Sequence, residues 1–173
     1  MIQGVRAFYD VASMLVTGVG AELTASPAGT PERACVVPGE IAWDECDCGM
    51  LAVSPRAWTV TDSFPETTGF GGAATPVSPC TAPWLVGTIE LQVIRCAPSP
   101  DGNVLSVSCE RLDVAAEVLV ADAYLTLTTT ISILCELKSD EQIVDYVVGE
   151  QLTVGPQGGC VGTSLTVQVS VDR

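Results

Sequence analysis

Leu165-Thr166-Val167-Gln168-Val169-Ser170-Val171 alternates apolar and polar residues without a fault and runs on into Asp172. A period of two marks a strand that buries one face and wets the other, so the chain ends in a half-buried β-strand. Working back, Gly155-Pro156-Gln157-Gly158-Gly159 is a turn joining this strand to two short apolar runs, Gln151 to Val154 and Ile143 to Val148. Ile89, Leu91 and Val93 alternate with Glu90 and Gln92 in a further strand that Cys96 closes. Cys35 to Val37 and Glu40 to Trp43, split by Pro38-Gly39, face a return run from Met50 to Val60 across the acidic tip Asp44 to Gly49. This reads as a long, irregular β-hairpin.

Two segments carry a helical period. Ile2, Val5, Tyr9, Ala12, Leu15, Val16 and Val19 recur at spacings of three and four, which predicts a helix over 2–20 stopped by Gly18 and Gly20. Ser108 is a good N-cap for a second helix, with Glu110 and Asp113 in the first turn, where the dipole favours negative charge. Its predicted buried side is Leu112, Ala115, Ala116, Leu119, Val120 and Ala123. Thr126, Thr128, Thr129 and Thr130 weaken its middle, so 109–138 reads as one bent helix or two shorter ones. Residues 61–83 hold four prolines and three glycines without periodicity and read as an extended loop or arm. The expectation is one α+β domain over 1–173: an N-terminal helix, a β-hairpin, and a mostly antiparallel sheet with helices packed on one face.

Composition excludes several functions. The 173 residues carry 7 Lys+Arg against 21 Asp+Glu, a formal charge of −14, and no histidine. Absent histidine removes Ser-His-Asp and Cys-His nucleophiles, imidazole zinc sites and a histidine pH switch. The acid excess opposes binding to nucleic-acid phosphate or to an anionic bilayer. No run approaches the roughly 20 apolar residues of a bilayer span. Arg6 before Val11 to Val16 invites comparison with a secretory leader, but Asp10 and the glycines fit that poorly. A cytosolic origin is the default reading, which makes the 8 cysteines the puzzle.

No constellation argues for catalysis, so the chain reads as a non-enzyme without cofactor or metal. Asp44-Glu45-Cys46-Asp47-Cys48 gathers carboxylates and thiols, yet Cys-x-Cys is not a zinc spacing and the glycine comes too late for a calcium loop. Sequence alone leaves the cysteine pairings open. A bridge between Cys96 and Cys109 would pin a strand-to-helix crossing. Cys46 or Cys48 meeting Cys80 would fasten the arm to the hairpin tip, and Cys35 and Cys160 lie beside strands that could be neighbours in the sheet. Cys135 reads as a buried thiol. Free thiols are the expectation in a reducing cytoplasm, with disulfides forming after release.

Three blocks carry a resemblance: Cys35-Val-Val-Pro-Gly-Glu-Ile-Ala-Trp-Asp-Glu-Cys-Asp-Cys-Gly-Met-Leu-Ala-Val53, Arg95-Cys-Ala-Pro98 and Val154-Gly-Pro-Gln-Gly-Gly-Cys-Val-Gly162. They look like a family of small virion proteins of long-tailed phages infecting actinobacteria, the tail terminators or head-to-tail connectors. The resemblance implies a ring, hexameric in tail terminators, that caps the tail tube, stops its growth and meets the head-side connector. It implies as partners further copies of the chain, the major tail tube protein and the connector or stopper protein, in the virion neck after assembly in the host cytoplasm. It supplies no catalytic residue. Genome DNA would slide past such a ring, and an acidic lumen suits passage without binding. The proline-marked hairpin and strands such as Leu165 to Val171 suit pairing between subunits, with Trp43 and Asp44 on the hairpin, Trp58 and Trp84 as expected interface anchors. Within this class a stopper or adaptor protein is the alternative. From another class, the alternative is a secreted Cys-rich binding module.

Overall fold

The computed structural model describes residues 3–41, 43, 49–65, 84–100 and 106–172. Asp44, Cys46, Cys48, Cys80 and most of the expected arm at 61–83 lie outside the described residues. The elements run α1 (Gln3–Glu22), β1 (Arg33–Val36), β2 (Met50–Thr61), β3 (Trp84–Cys96), α2 (Cys109–Ser139), β4 (Asp145–Gln157) and β5 (Cys160–Asp172), with a 3-10 turn, Leu23–Ala25, after α1. The strands form one five-stranded sheet in the order β1-β2-β3-β5-β4, antiparallel at every pairing except β1 with β2. Both helices pack together over the same core, so the architecture is α+β as expected.

The core lies between that sheet face and α1. Phe8, Val11, Ala12, Leu15 and Val19 of α1 are buried against Leu51 and Val53 of β2, Ile89, Leu91 and Val93 of β3, and the apolar positions of β5 from Leu165 to Val171. The helix is turned slightly from its expected orientation. Phe8 and Val11 point inward, whereas Tyr9 is 57% exposed. Nor do the glycines end it. A Cβ on Gly18 would overlap the tip of Ile133, so this position serves the close approach of α1 to α2, and the helix continues to Glu22.

Residues 35–37 and 50–60 are neighbours as read, but β1 and β2 run parallel, pairing Arg33 with Met50 through Val36 with Val53. A parallel return needs a connection of a dozen or more residues, and the chain between Val36 and Met50 provides it, where an antiparallel hairpin would use a tight tip. The hairpin of this fold is β4–β5. Its two-residue turn is Gly158-Gly159, both at positive φ (57° and 80°), the conformation that a two-residue hairpin of the primed type demands and that glycine supplies without steric cost. The two short runs at 143–154 are one strand, β4, carried past irregularities in register after Val148 and Val154.

β5 is an interior strand flanked by β3 and β4, so it is not available to pair with another subunit. That position also encloses part of its polar side, burying Ser164 and Ser170 and leaving Thr166 and Gln168 half-buried, while Thr163 is buried on the apolar side. Phe8 sits over Gly87 of β3, where a Cβ would fall inside the ring, and the ring is stacked on Trp58 at 5.6 Å. Gly87→Ala should therefore destabilise the fold by about 1–3 kcal/mol. Gly20→Ala, whose Cβ would meet Leu51 at 3.6 Å, should stabilise it by about 0.5–1 kcal/mol. Urea unfolding of both variants checks the contrast.

Candidate subunit interface

The helix α2 is 31 residues long, about 46 Å at the α-helical rise. Its limits match the sequence reading, although Ser108 makes no side-chain capping bond. The buried residues are Asp122, Thr126, Thr130, Leu134 and Leu137, a stripe at spacings of three and four, and it continues toward the N-terminus through Leu119, Ala115 and Leu112, so the inward side is the one expected. Ala115 and Leu119 are half-buried, and Leu112 is 48% exposed because α2 has no fully buried residue before Asp122. Val120, at the edge of that side, is 67% exposed. The inner side is mixed: Asp122, Thr126 and Thr130 share it with Leu125, Leu127 and Ile133, which pack on the core.

One ion pair anchors the polar part of this side. Arg95, near the end of β3, donates from Nε to Asp122 Oδ2 at 2.8 Å and from its terminal nitrogen to Oδ1 at 3.0 Å, and also to the Gly29 carbonyl at 2.8 Å. The two side chains are 7% and 0% exposed. An arginine fork meeting a carboxylate through two parallel bonds fixes orientation as well as distance. It rolls α2 so that Asp122 points inward, and Thr126 and Thr130, four and eight residues on, follow it; their hydroxyls find no hydrogen bond among the described residues.

Asp122 is also the first fully buried residue of α2. From Cys109 to Ala121, some 20 Å of helix, the side chains are exposed or half-buried. Leu112 and Val114 are solvent-facing there, while Val118 and Leu119 line a cleft of about 310 Å³ against Arg95, Cys96, Pro98 and Val161. By length and composition α2 meets the criterion for a membrane-crossing helix, contrary to the expectation from the sequence, with an 18-residue stretch of mean hydropathy 1.7. Its inner stripe is committed to the fold through Arg95, and Leu134 and Leu137 are part of the core.

The sheet contributes a second kind of surface. Among the described residues, β4 has no strand beyond it, and β2 loses its β1 neighbour after Val53, which leaves its exposed run Arg56 to Thr59 without a paired strand on that side. β2 and β4 run in opposite directions, because three antiparallel steps separate them. Of the expected anchors, Trp58 lies on this open part of β2, 47% exposed beyond its stack on Phe8. Trp84 begins β3 and is half-buried, opposite Thr61 and Asp172.

Trp43 is placed on the sheet face away from the helices, its indole Nε1 donating to Gln92 Oε1 at 2.7 Å. Gln92 in turn donates to Glu90 Oε1, which also accepts from Ser164, while Glu90 Oε2 meets Arg56 Nε at 3.2 Å. Arg56 reaches Glu40 at 3.7 Å and donates to the Gly39 carbonyl, which Ser54 also contacts. These groups line a polar groove of about 550 Å³. Both Glu90 oxygens are engaged, so the network holds Gly39, Glu40 and Trp43 to the sheet; Trp43 is a pinned residue, not a free anchor. Among the described residues no three Cys, Asp or Glu side chains are placed to hold a metal ion.

The cysteines differ from expectation. Cys96 and Cys160 are both disulfide-bonded, whereas Cys35, Cys109 and Cys135 are free and exposed. The expected Cys96–Cys109 bridge is absent, since Cys109 stands on the outer start of α2. Cys35 cannot neighbour Cys160, because β2 and β3 separate their strands. Cys135, read as a buried thiol, lies on the outward side of α2 with its Sγ 2.9 Å from the Tyr146 hydroxyl, and that hydrogen bond, with burial, raises the Tyr146 phenol above its ordinary value. Near it, the Lys138 ammonium holds the Asp145 carboxyl below the usual carboxylate range through a 2.7 Å bond, against a smaller effect of burial.

The sequence carried a signal for the polar part of the inner side of α2: between Val118 and Cys135 the one charged residue is Asp122, with threonines four and eight positions after it. A lone acid in step with hydroxyls, in an otherwise charge-free stretch, marks a polar stripe. A scan of the chain against protein-family models finds no match, and a search of curated proteins finds no similar one.

Asp122→Asn should cost about 3–5 kcal/mol by leaving Arg95 buried without its counter-charge, while the double replacement Arg95→Met/Asp122→Leu should cost far less. Urea denaturation of the two variants measures the difference. Alkylation of the native protein without reductant should modify Cys35, Cys109 and Cys135, with Cys96 and Cys160 labelled only after reduction, as read by peptide mass spectrometry.

Proposed function

We propose that the chain is a structural protein of a phage neck, a tail terminator that closes into a ring on the end of the tail tube and joins it to the head connector. The observation that supports this most is the pair of sheet edges, β4 and part of β2, that carry no further strand among the described residues. β4 and the free part of β2 lie on opposite sides of one sheet and run in opposite directions, so β4 of one copy laid beside β2 of the next makes an antiparallel pair. Contacts between two different patches are head-to-tail, and they close into a ring when the rotation per step closes. Main-chain pairing of this kind satisfies the edge groups that a lone sheet leaves open.

The chemistry is passive. The resembling blocks bring no catalytic residue, and the −14 charge suits a wall past which DNA moves without binding. The oxidised Cys96 and Cys160 favour a second reading, a secreted Cys-rich binding module. The two readings separate on one preparation. Incubated with tail tubes of the source phage, the protein should form a ring at the tube end, visible by electron microscopy, and a hexamer of six 18.0 kDa chains, about 108 kDa, by native mass spectrometry. A protein that stays monomeric and ignores tubes, or that is isolated with a processed N-terminus, contradicts the ring reading.

A further inference from the structure

One flank of α2 has a pattern of its own. Glu117, Val120, Tyr124, Leu127, Ile131, Cys135 and Lys138 follow at steps of three and four. They form a seam beside the buried stripe, each exposed except Leu127, which is half-buried and packs against the core. Between its ends the seam has no charge, in a chain with 21 acidic residues. Its two ends are charged and opposite, Glu117 at one and Lys138 at the other.

A seam with that period is the geometry of helices that pack side by side, and its end charges decide what fits. In a parallel pair of α2 helices, Glu117 would meet Glu117 and Lys138 would meet Lys138. In an antiparallel pair about a two-fold axis between Leu127 and Thr128, Glu117 lies opposite the partner's Lys138 at both ends. Tyr124 then lies over the partner's Ile131, and Val120 over the partner's Cys135. The helix dipoles are opposed as well, which favours this direction. The seam spans about 32 Å, and a helix pair of that length buries on the order of 1,000 Å² in total, near the lower bound for a specific interface.

We propose that two copies of the chain associate through an antiparallel α2–α2 contact on this seam. The contact uses neither open sheet edge, so it goes beyond the ring reading and stands or falls separately from it. Lys138 reaches it already bonded to Asp145, which holds the ammonium at the end of the seam.

The test uses the full chain. Light scattering at tens of micromolar should show dimers, or assemblies with an even number of chains. Tyr124→Glu, at a position 66% exposed and so without consequence for the circular dichroism spectrum, should weaken association at least tenfold. Val120→Cys should give a covalent dimer on mild oxidation that disappears when Cys135→Ser is added, while the wild type gives none through Cys135. Three results overturn the proposal: a wild type that is monomeric throughout, association indifferent to Tyr124→Glu, or cross-linking of the wild type through Cys135, which signals parallel pairing. A monomer that instead co-sediments with zwitterionic phosphatidylcholine vesicles, and loses that binding with Tyr124→Glu, assigns the seam to a lipid surface and overturns it too. Loss of the dimer with tube-end rings intact, or the reverse, tells which of the two readings has failed.

Discussion

The Arg95–Asp122 pair sets the geometry on which the rest of the molecule depends. Both groups are withdrawn from water, and removing two charges from water costs several kcal/mol per ion before their attraction returns any of it. The pair is a weak source of stability and a strong source of orientation. Its three bonds join the end of β3, the middle of α2 and the connector at Gly29, three segments far apart in the chain. An apolar replacement of similar size would bury as well but would leave α2 free to roll. With the carboxylate fixed, the roll angle of the whole helix is fixed.

That roll angle has its consequences toward the C-terminus, where it brings Leu134 and Leu137 into the core and Ile133 over Gly18, which lets α1 and α2 approach closely. Toward the N-terminus α2 has no fully buried residue before Asp122, and Leu112, Val114 and Val120 are exposed there. Thr126 and Thr130 are buried without hydrogen bonds among the described residues, a cost to the fold that Leu125, Leu127 and Ile133 offset by packing on the core beside them.

The range of each interaction decides which parts of the structure were legible in the sequence. The limits of α2 and its inward side, the strands β3 and β5 and the α+β class follow from local period and turn chemistry, which act within a few residues and leave their mark there. The burial of Asp122 on that side depends on Arg95, in another element, and the spacing of apolar residues along α2 carries no trace of that partner. The parallel sense of β1 and β2 was hidden for a related reason: Pro38-Gly39 and the acidic tip look like hairpin punctuation, whereas the sense of pairing depends on how the connection returns across the sheet. Gly18 is similar. Read along the helix it is a stop, and read across to Ile133 it is a point of contact. The cysteines were least legible of all, since oxidation at Cys96 and Cys160 is a property of three-dimensional neighbourhood and compartment.

The candidate surfaces divide along the same line. The edges of β2 and β4, without a further strand among the described residues, are backbone surfaces, created by strand order, and they are indifferent to most side chains; they suit repetition of one contact around a ring. The α2 seam is a side-chain surface in which Glu117, Tyr124, Ile131 and Lys138 each have a place, and it suits one partner in one orientation. A chain with a −14 charge repels its own copies at long range, more strongly at low ionic strength. The proposed association would therefore rest on contacts that act only at close range, such as backbone hydrogen bonds and a charge-free apolar seam. Both proposed surfaces meet that condition, and the acidic remainder of the molecule opposes any other meeting of two copies.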